Sequence, residues 1–189
     1  MREELIRQIE SYVPCNEQEV QDRETILAQL RTQENIFSRD NLLAHMTASA
    51  WVTDRAHRRI LMAWHNIYHS WSWLGGHADG NEDLLEVARR EVREESGIRD
   101  VRAITPDILS LEVLTVDGHE KRGIYVPSHL HLNVTWLFEA DEREQVRVKA
   151  DENSAVDWFE PDEAVAKSSE PWFRERIYSK LNLRMRDYL

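Results

Sequence analysis

The stretch at residues 76–98, GHADGNEDLLEVARREVREESGI, limits what this chain can become more than any other part of it. A loop with glycine at 75, 76 and 80 runs into a segment that reads as a helix from Glu82 to Ser96. Leu84, Leu85, Ala88 and Val92 form its apolar stripe, and Gly97 is placed to stop it. Glu94 and Glu95 follow Glu91 by three and four positions, so all three carboxylates share one helix face. Like charges at that spacing weaken a helix by about 0.2–0.5 kcal/mol per pair. They also lie near the helix C-terminus, where the backbone dipole disfavours negative charge. A hard divalent cation resolves the conflict, because Mg²⁺ prefers carboxylate oxygens. Arg90 projects about 100° around the helix from Glu91. It can pair with the loop, with Glu82, or with Glu91 by bending back.

Charge sharpens the same point. The formal net charge of −11 repels a nucleic-acid backbone, which argues against duplex DNA or long RNA as the main partner. A small phosphorylated substrate needs a local cation to approach such a surface, and a bound metal supplies one. Cys15 is the single cysteine, so no internal disulfide forms, as suits a reducing cytosol. The opening MREELIRQIESYV lacks the apolar core of a signal peptide, and no stretch has the length to span a bilayer. The expectation is a cytoplasmic protein with no membrane partner.

Residues 1–36 read as a helical hairpin. The first helix has Leu5, Ile9 and Tyr12 or Val13 on one face and is interrupted by Pro14. Asn16 and Glu19 resemble a capping box opening the second, whose apolar side is Val20, Ile26, Leu27 and Leu30. This appendage reads as a lid or a homodimer surface. Residues 37–189 form the main domain. Its strand candidates are HMTASAWVTD, RRILMAWH, ILSLEVLTV, HLHLNVTWLFEA and AVDWFE. Pro161 suits the first turn of a helix, and a last helix begins near Pro171. Several strands with one internal and one terminal helix predict an α/β fold, a mixed sheet covered on its faces.

The segment at 76–98 resembles the Nudix box: Gly, five residues, Glu, seven residues, then Arg-Glu-aliphatic-x-Glu-Glu-x-Gly-aliphatic. Gly76, Glu82, Arg90, Glu91, Val92, Glu94, Glu95, Gly97 and Ile98 meet every fixed position. Leu74 stands where the family often has proline. The wider resemblance covers about residues 43–165. It implies a Nudix-type α/β/α sandwich and a hydrolase that cuts a diphosphate bond in a nucleoside diphosphate linked to another moiety. Mg²⁺ is the implied cofactor, with Mn²⁺ as a substitute. Carried over, Glu94 and Glu95 are metal ligands. Glu91 is a further ligand or the general base, and Arg90 orients it. Glu82 and Gly76 support the loop, and the carbonyl of Gly75 is an extra ligand. From outside the box, Glu152 is the added acidic ligand, with Asp151 as its rival.

Two other readings share the fold. An isopentenyl-diphosphate isomerase would call for a catalytic cysteine in the core domain, whereas Cys15 lies in the hairpin. A nucleotide-sensing domain without catalysis usually has a broken box, and this one is intact. For substrate binding, Trp73 is a candidate to stack on a base. His129 and His131 alternate with Asn133 on one strand face, expected to be exposed, and are candidates for polar contacts. Trp51, Trp136 and Trp158 read as sheet core. His65, His69 and His77 lie near the loop, but no zinc-ligand spacing of a familiar kind is present.

Overall fold

The computed structural model describes residues 1–121 and 123–189. Helices α1 (Arg2–Ser11) and α2 (Glu17–Thr32) precede strands β1 (Ala44–Asp54), β2 (Ile60–His65), β3 (Ser70–Ser72) and β4 (Leu74–His77). Helix α3 (Leu84–Ser96) follows, then β5 (Val101–Ala103), β6 (Ser110–Val116), β7 (His119–Lys121), β8 (Ile124–Val126), β9 (His129–Ala140) and β10 (Asn153–Phe159). The chain closes with α4 (Pro161–Lys167), a π-helical segment Phe173–Tyr178, and α5 (Ser179–Met185).

Eight strands make one mixed sheet in the order β10-β2-β1-β9-β5. β3 joins β2, β4 joins β1, and β6 joins β9. β1 and β9 run parallel along their whole length, from Ala44 opposite Leu130 to Asp54 opposite Ala140, and the other pairings are antiparallel. β1 is buried on both faces, and its alternate residues serve two different cores. Met46, Ala48, Ala50 and Val52 join Leu84, Val87, Ala88 and Val92 of α3 in the first. Trp51 joins Ile177, Tyr178, Leu181 and Met185 in the second. Helices therefore cover both faces, as the sequence predicts.

The hairpin packs on the sheet rather than standing apart. Leu5, Ile9, Ile26, Leu27 and Leu30 belong to the first core. Tyr12, not Val13, completes the inner face of that hairpin, and Val20 is exposed, contrary to its expected inward position. Asn16 caps α2 by accepting from the Glu19 N–H at 2.9 Å. Glu19 does not close the reciprocal half of a capping box. Its buried side chain takes the hydroxyl of Tyr12 at 2.7 Å and that of Ser110 at 3.0 Å.

Other elements depart from the sequence reading in detail. The glycine loop expected after Trp73 begins as a strand, because β4 pairs with β1 from Ala50–Leu74 to Thr47–His77. The last helix begins at Pro171, as expected, but turns π-helical over Phe173–Tyr178. The face of β9 that carries Asn133 is not exposed. Asn133 is buried, accepts from Thr47 and Ser49, and donates to Glu112 at 2.9 Å. Trp51 and Trp136 are core residues, as expected.

Candidate active site

α3 is built to hold charge against the sheet. Asp83 caps it by accepting from the Glu86 N–H at 3.1 Å. Gly97 ends it in the left-handed conformation, φ 75°, where a residue with a Cβ would be strained. Between these ends Val87, Ala88 and Val92 fix the helix on β1 and β4, and that fixing turns Glu91 and Glu95 inward. Both are buried. The Glu95 Oε1 accepts the Gly75 N–H at 3.1 Å. Arg90 does bend back, donating to Glu91 Oε1 at 2.8 Å and reaching the carbonyl of His77 at 3.5 Å.

A third carboxylate arrives from the turn before β10. Oxygens of Glu91, Glu95 and Glu152 lie within 4.8 Å of one another. Of the two acids proposed from outside the box, Glu152 is the one in this group. Asn153 sets its position, accepting from the Lys149 N–H and donating to the Glu95 carbonyl, each at 3.1 Å. Glu94 stands apart from this trio. Its carboxylate is half exposed and faces Lys149 Nζ at 3.2 Å and Arg90 Nε at 3.7 Å. Lys149 also meets Glu152 at 3.0 Å.

The electrostatics follow from burial. Desolvation holds the Glu95 carboxyl well above the usual carboxylate range, offset only in part by the Gly75 N–H and reinforced by Glu91 and Glu152. Desolvation also raises Glu91, against the pull of Arg90. Burial acts to lower Lys149, but Glu152 and Glu94 outweigh it and raise its affinity for a proton. Three carboxylates gathered together, two of them buried, fit a hard dication, and an all-oxygen donor set suits Mg²⁺ or Mn²⁺.

The remaining candidates are dispersed. Glu82 accepts the backbone N–H of Arg2 at 2.9 Å, tying α1 to the loop before α3. Gly76 leaves room for Glu91, since a Cβ there would meet Glu91 Cδ at 2.6 Å. Trp73 lies edge-on to Phe173 and Tyr178, with ring centres 6.0 and 5.7 Å away. His129 and His131 stand on the other side of β4's backbone, with Nε2 atoms 3.2 Å apart. Burial, then the imidazoles of His77, His45 and His129, push His131 down to about 2. Cys15 sits between α1 and α2, its N–H donated to Glu19. Lys149 and Asn153 had no signal in the sequence, because both act through the turn that delivers Glu152.

A family model described as the NUDIX domain matches residues 43–181. The chain belongs to the Nudix hydrolase family. An RNA pyrophosphohydrolase of Bartonella henselae is 44% identical over 50 residues, which is 25% of this chain and 29% of that protein. The aligned stretch thus spans less than a third of that relative. Among solved structures, an Ap4A hydrolase binary complex from C. elegans matches with a TM-score of 0.52 and 18% identity, covering 75% of this chain and 98% of the other. The E. coli dihydroneopterin triphosphate pyrophosphohydrolase matches with a TM-score of 0.51 and 14% identity, covering 73% and 94%. At such identities these two establish the Nudix fold alone. No helix among the described residues is long and apolar enough to cross a membrane.

Proposed function

We propose that this Nudix protein is a pyrophosphohydrolase that cleaves a diphosphate bond in a nucleoside diphosphate linked to another moiety. The observation that carries the reading is the convergence of Glu91, Glu95 and Glu152 on one point beside Gly75. The pyrophosphohydrolase named among the relatives supports the reaction type, and the net charge of −11 favours a small substrate over long nucleic acid.

Glu91, Glu95, Glu152 and the Gly75 carbonyl would hold Mg²⁺ or Mn²⁺, with Glu94 joining once it leaves Lys149. The bound cation would offset charge on the diphosphate oxygens and make an attacking water more acidic. Arg90 fixes Glu91 so that its carboxylate can accept that water's proton. The water oxygen bonds to phosphorus, the bridging P–O bond breaks, and the leaving phosphate keeps the electron pair. Lys149, released from Glu94 and Glu152, would meet the phosphates. Trp73 and His129 are assigned to the far part of the substrate, and His131, whose ring meets those of His77 and His129, is left out of it.

The test is phosphate-bond cleavage across a panel of nucleoside diphosphate derivatives with Mg²⁺, with Mn²⁺ and with EDTA. The expected result is cleavage that needs metal and falls away in Glu91→Gln and Glu94→Gln. Failure to cleave any member while Mg²⁺ still binds the wild-type chain would overturn the reading.

A further inference from the structure

β1 lies between β4 and β9 at its lower end, and each of these three strands sends a histidine to the same face. His45 is opposite His131 in the parallel β1–β9 pair. His77 is opposite Thr47 in the antiparallel β1–β4 pair, and Thr47 shares a face with His45 two residues away. One ring nitrogen from each of His45, His77 and His131 lies within 4.8 Å of the others. The ring centre of His45 is 5.2 Å from that of His77 and 5.1 Å from that of His131.

The hydrogen bonding leaves a buried lone pair of this group without a donor. His45 Nδ1 is 3.1 Å from the Asn41 carbonyl, which can only accept, so that nitrogen carries the proton and Nε2 a lone pair. His45 is 4% exposed, and its Nε2 is buried with no hydrogen-bond partner. His129 is fixed in the same tautomer by the Pro127 carbonyl at 2.8 Å. Its Nε2 faces that of His131 at 3.2 Å, and His77 Nε2 faces the same His131 atom, also at 3.2 Å. One proton on His131 Nε2 serves one of these neighbours, not both. An imidazole held by a backbone carbonyl at one nitrogen and aimed at a common point with the other is the arrangement of metal-bound histidine. Nitrogens around a tetrahedral Zn²⁺ at about 2.0–2.1 Å stand about 3.3 Å apart, close to the 3.2 Å between His77 and His131, and a His45 nitrogen lies within 4.8 Å of both.

We propose that His45, His77 and His131 form a second metal site, for a borderline divalent cation of the Zn²⁺ or Co²⁺ class. It is distinct from the carboxylate group and lies on the opposite face of β4. Three protein nitrogens leave a fourth position for water, an anionic oxygen or His129. Nitrogen donors separate it chemically from the oxygen site, which favours Mg²⁺. The assignment does not depend on the hydrolase reading.

The experiment uses the full chain, free of any affinity tag and stripped with chelator. Zn²⁺ or Co²⁺ is added in excess Mg²⁺, which fills the carboxylate site. Bound metal is counted by atomic emission, and the Co²⁺ visible spectrum reports nitrogen coordination. The expected result is one Zn²⁺ or Co²⁺ per chain, retained in Glu95→Gln, which breaks the carboxylate group. Its affinity should fall at least about tenfold in His131→Ala and in His77→Ala. Thermal melts identify any variant that fails to fold, and the folded one then decides. A wild-type chain that holds no Zn²⁺ under excess Mg²⁺ would overturn the proposal. So would Zn²⁺ bound with unchanged affinity by the folded histidine variants.

Discussion

Lys180 Nζ lies 2.9 Å from Glu19 Oε1, and both side chains are buried. The same ammonium meets Glu112 at 3.0 Å. This contact joins α2, the edge strand β6 and α5, so the first and last parts of the chain are locked together across the sheet. It gives the hairpin a structural role that its apolar stripe alone did not reveal.

Removing the shared cation should be severe. Lys180→Met leaves Glu19 and Glu112 buried without their common partner, which costs about 3–5 kcal/mol. For a chain of this size that lowers the melting midpoint by roughly 6–20 °C. Urea unfolding of the variant checks the figure, and a loss below about 1 kcal/mol would show that the network matters little.

The same network sets an acid limit. Burial works to raise the Glu19 carboxyl, but Lys180, the Cys15 N–H and the Tyr12 hydroxyl together pull it down to about 2. The folded value is below the unfolded one of about 4.3, so the contribution is complete above that pH and drains away as pH falls towards 2. Urea midpoints at about pH 5 and pH 3 should separate more for wild type than for Glu19→Gln. Equal separations would contradict the assignment.

Glu95→Gln should part activity from stability. Burial disfavours the charge on this carboxylate, and a glutamine oxygen can still accept the Gly75 N–H. Turnover is expected to drop about 10²–10⁴-fold, the scale of a lost proton-transfer or ligand group. The metal-free melting temperature should hold or rise. A clear fall in that temperature would mean that the carboxylate stabilises the fold.

The two adjacent glycines should respond differently. A Cβ at Gly76 would press on Glu91 Cδ, the movable end of a side chain. Gly76→Ala therefore costs activity through a displaced Glu91, with stability changed by less than about 1 kcal/mol. A Cβ at Gly75 would meet the Ala48 carbonyl at 2.5 Å, which is backbone. Gly75→Ala should cost about 1–3 kcal/mol through overpacking. Parallel melts and kinetics of both variants would expose a reversed order.

Lys149 pairs with Glu94 and Glu152, so it would compete with a metal proposed to sit there. Lys149→Met should tighten Mg²⁺ binding several-fold in calorimetry, since a like charge is removed from the site. Weaker binding would show instead that Lys149 holds the turn in place.

Much of this was readable from residues alone, for reasons of period and spacing. β9 is strand from His129 to Ala140 because its apolar and polar residues suit a buried strand, and the box carboxylates share a helix by simple count. What escaped was set by register between distant strands. His45 and His131 are far apart in sequence and meet only through the β1–β9 pairing, which no local pattern reports. Glu19 misled for a related reason: a cap at Asn16 explained it locally, while its true partners come from β6 and α5. β4 was hidden because glycine carries almost no strand signal, and its pairing with β1 decides the matter.

β4 is only four residues long, and its pleat divides the sheet's two chemistries. Gly76 gives clearance to Glu91 on one side, and His77 joins the imidazoles on the other. Strand faces alternate with a period of two, so inserting or deleting one residue between Leu74 and His77 would exchange them. A side chain would then be driven into α3 and a glycine would stand beside His45. Frame within these four residues thus carries more information than the identity of any one of them.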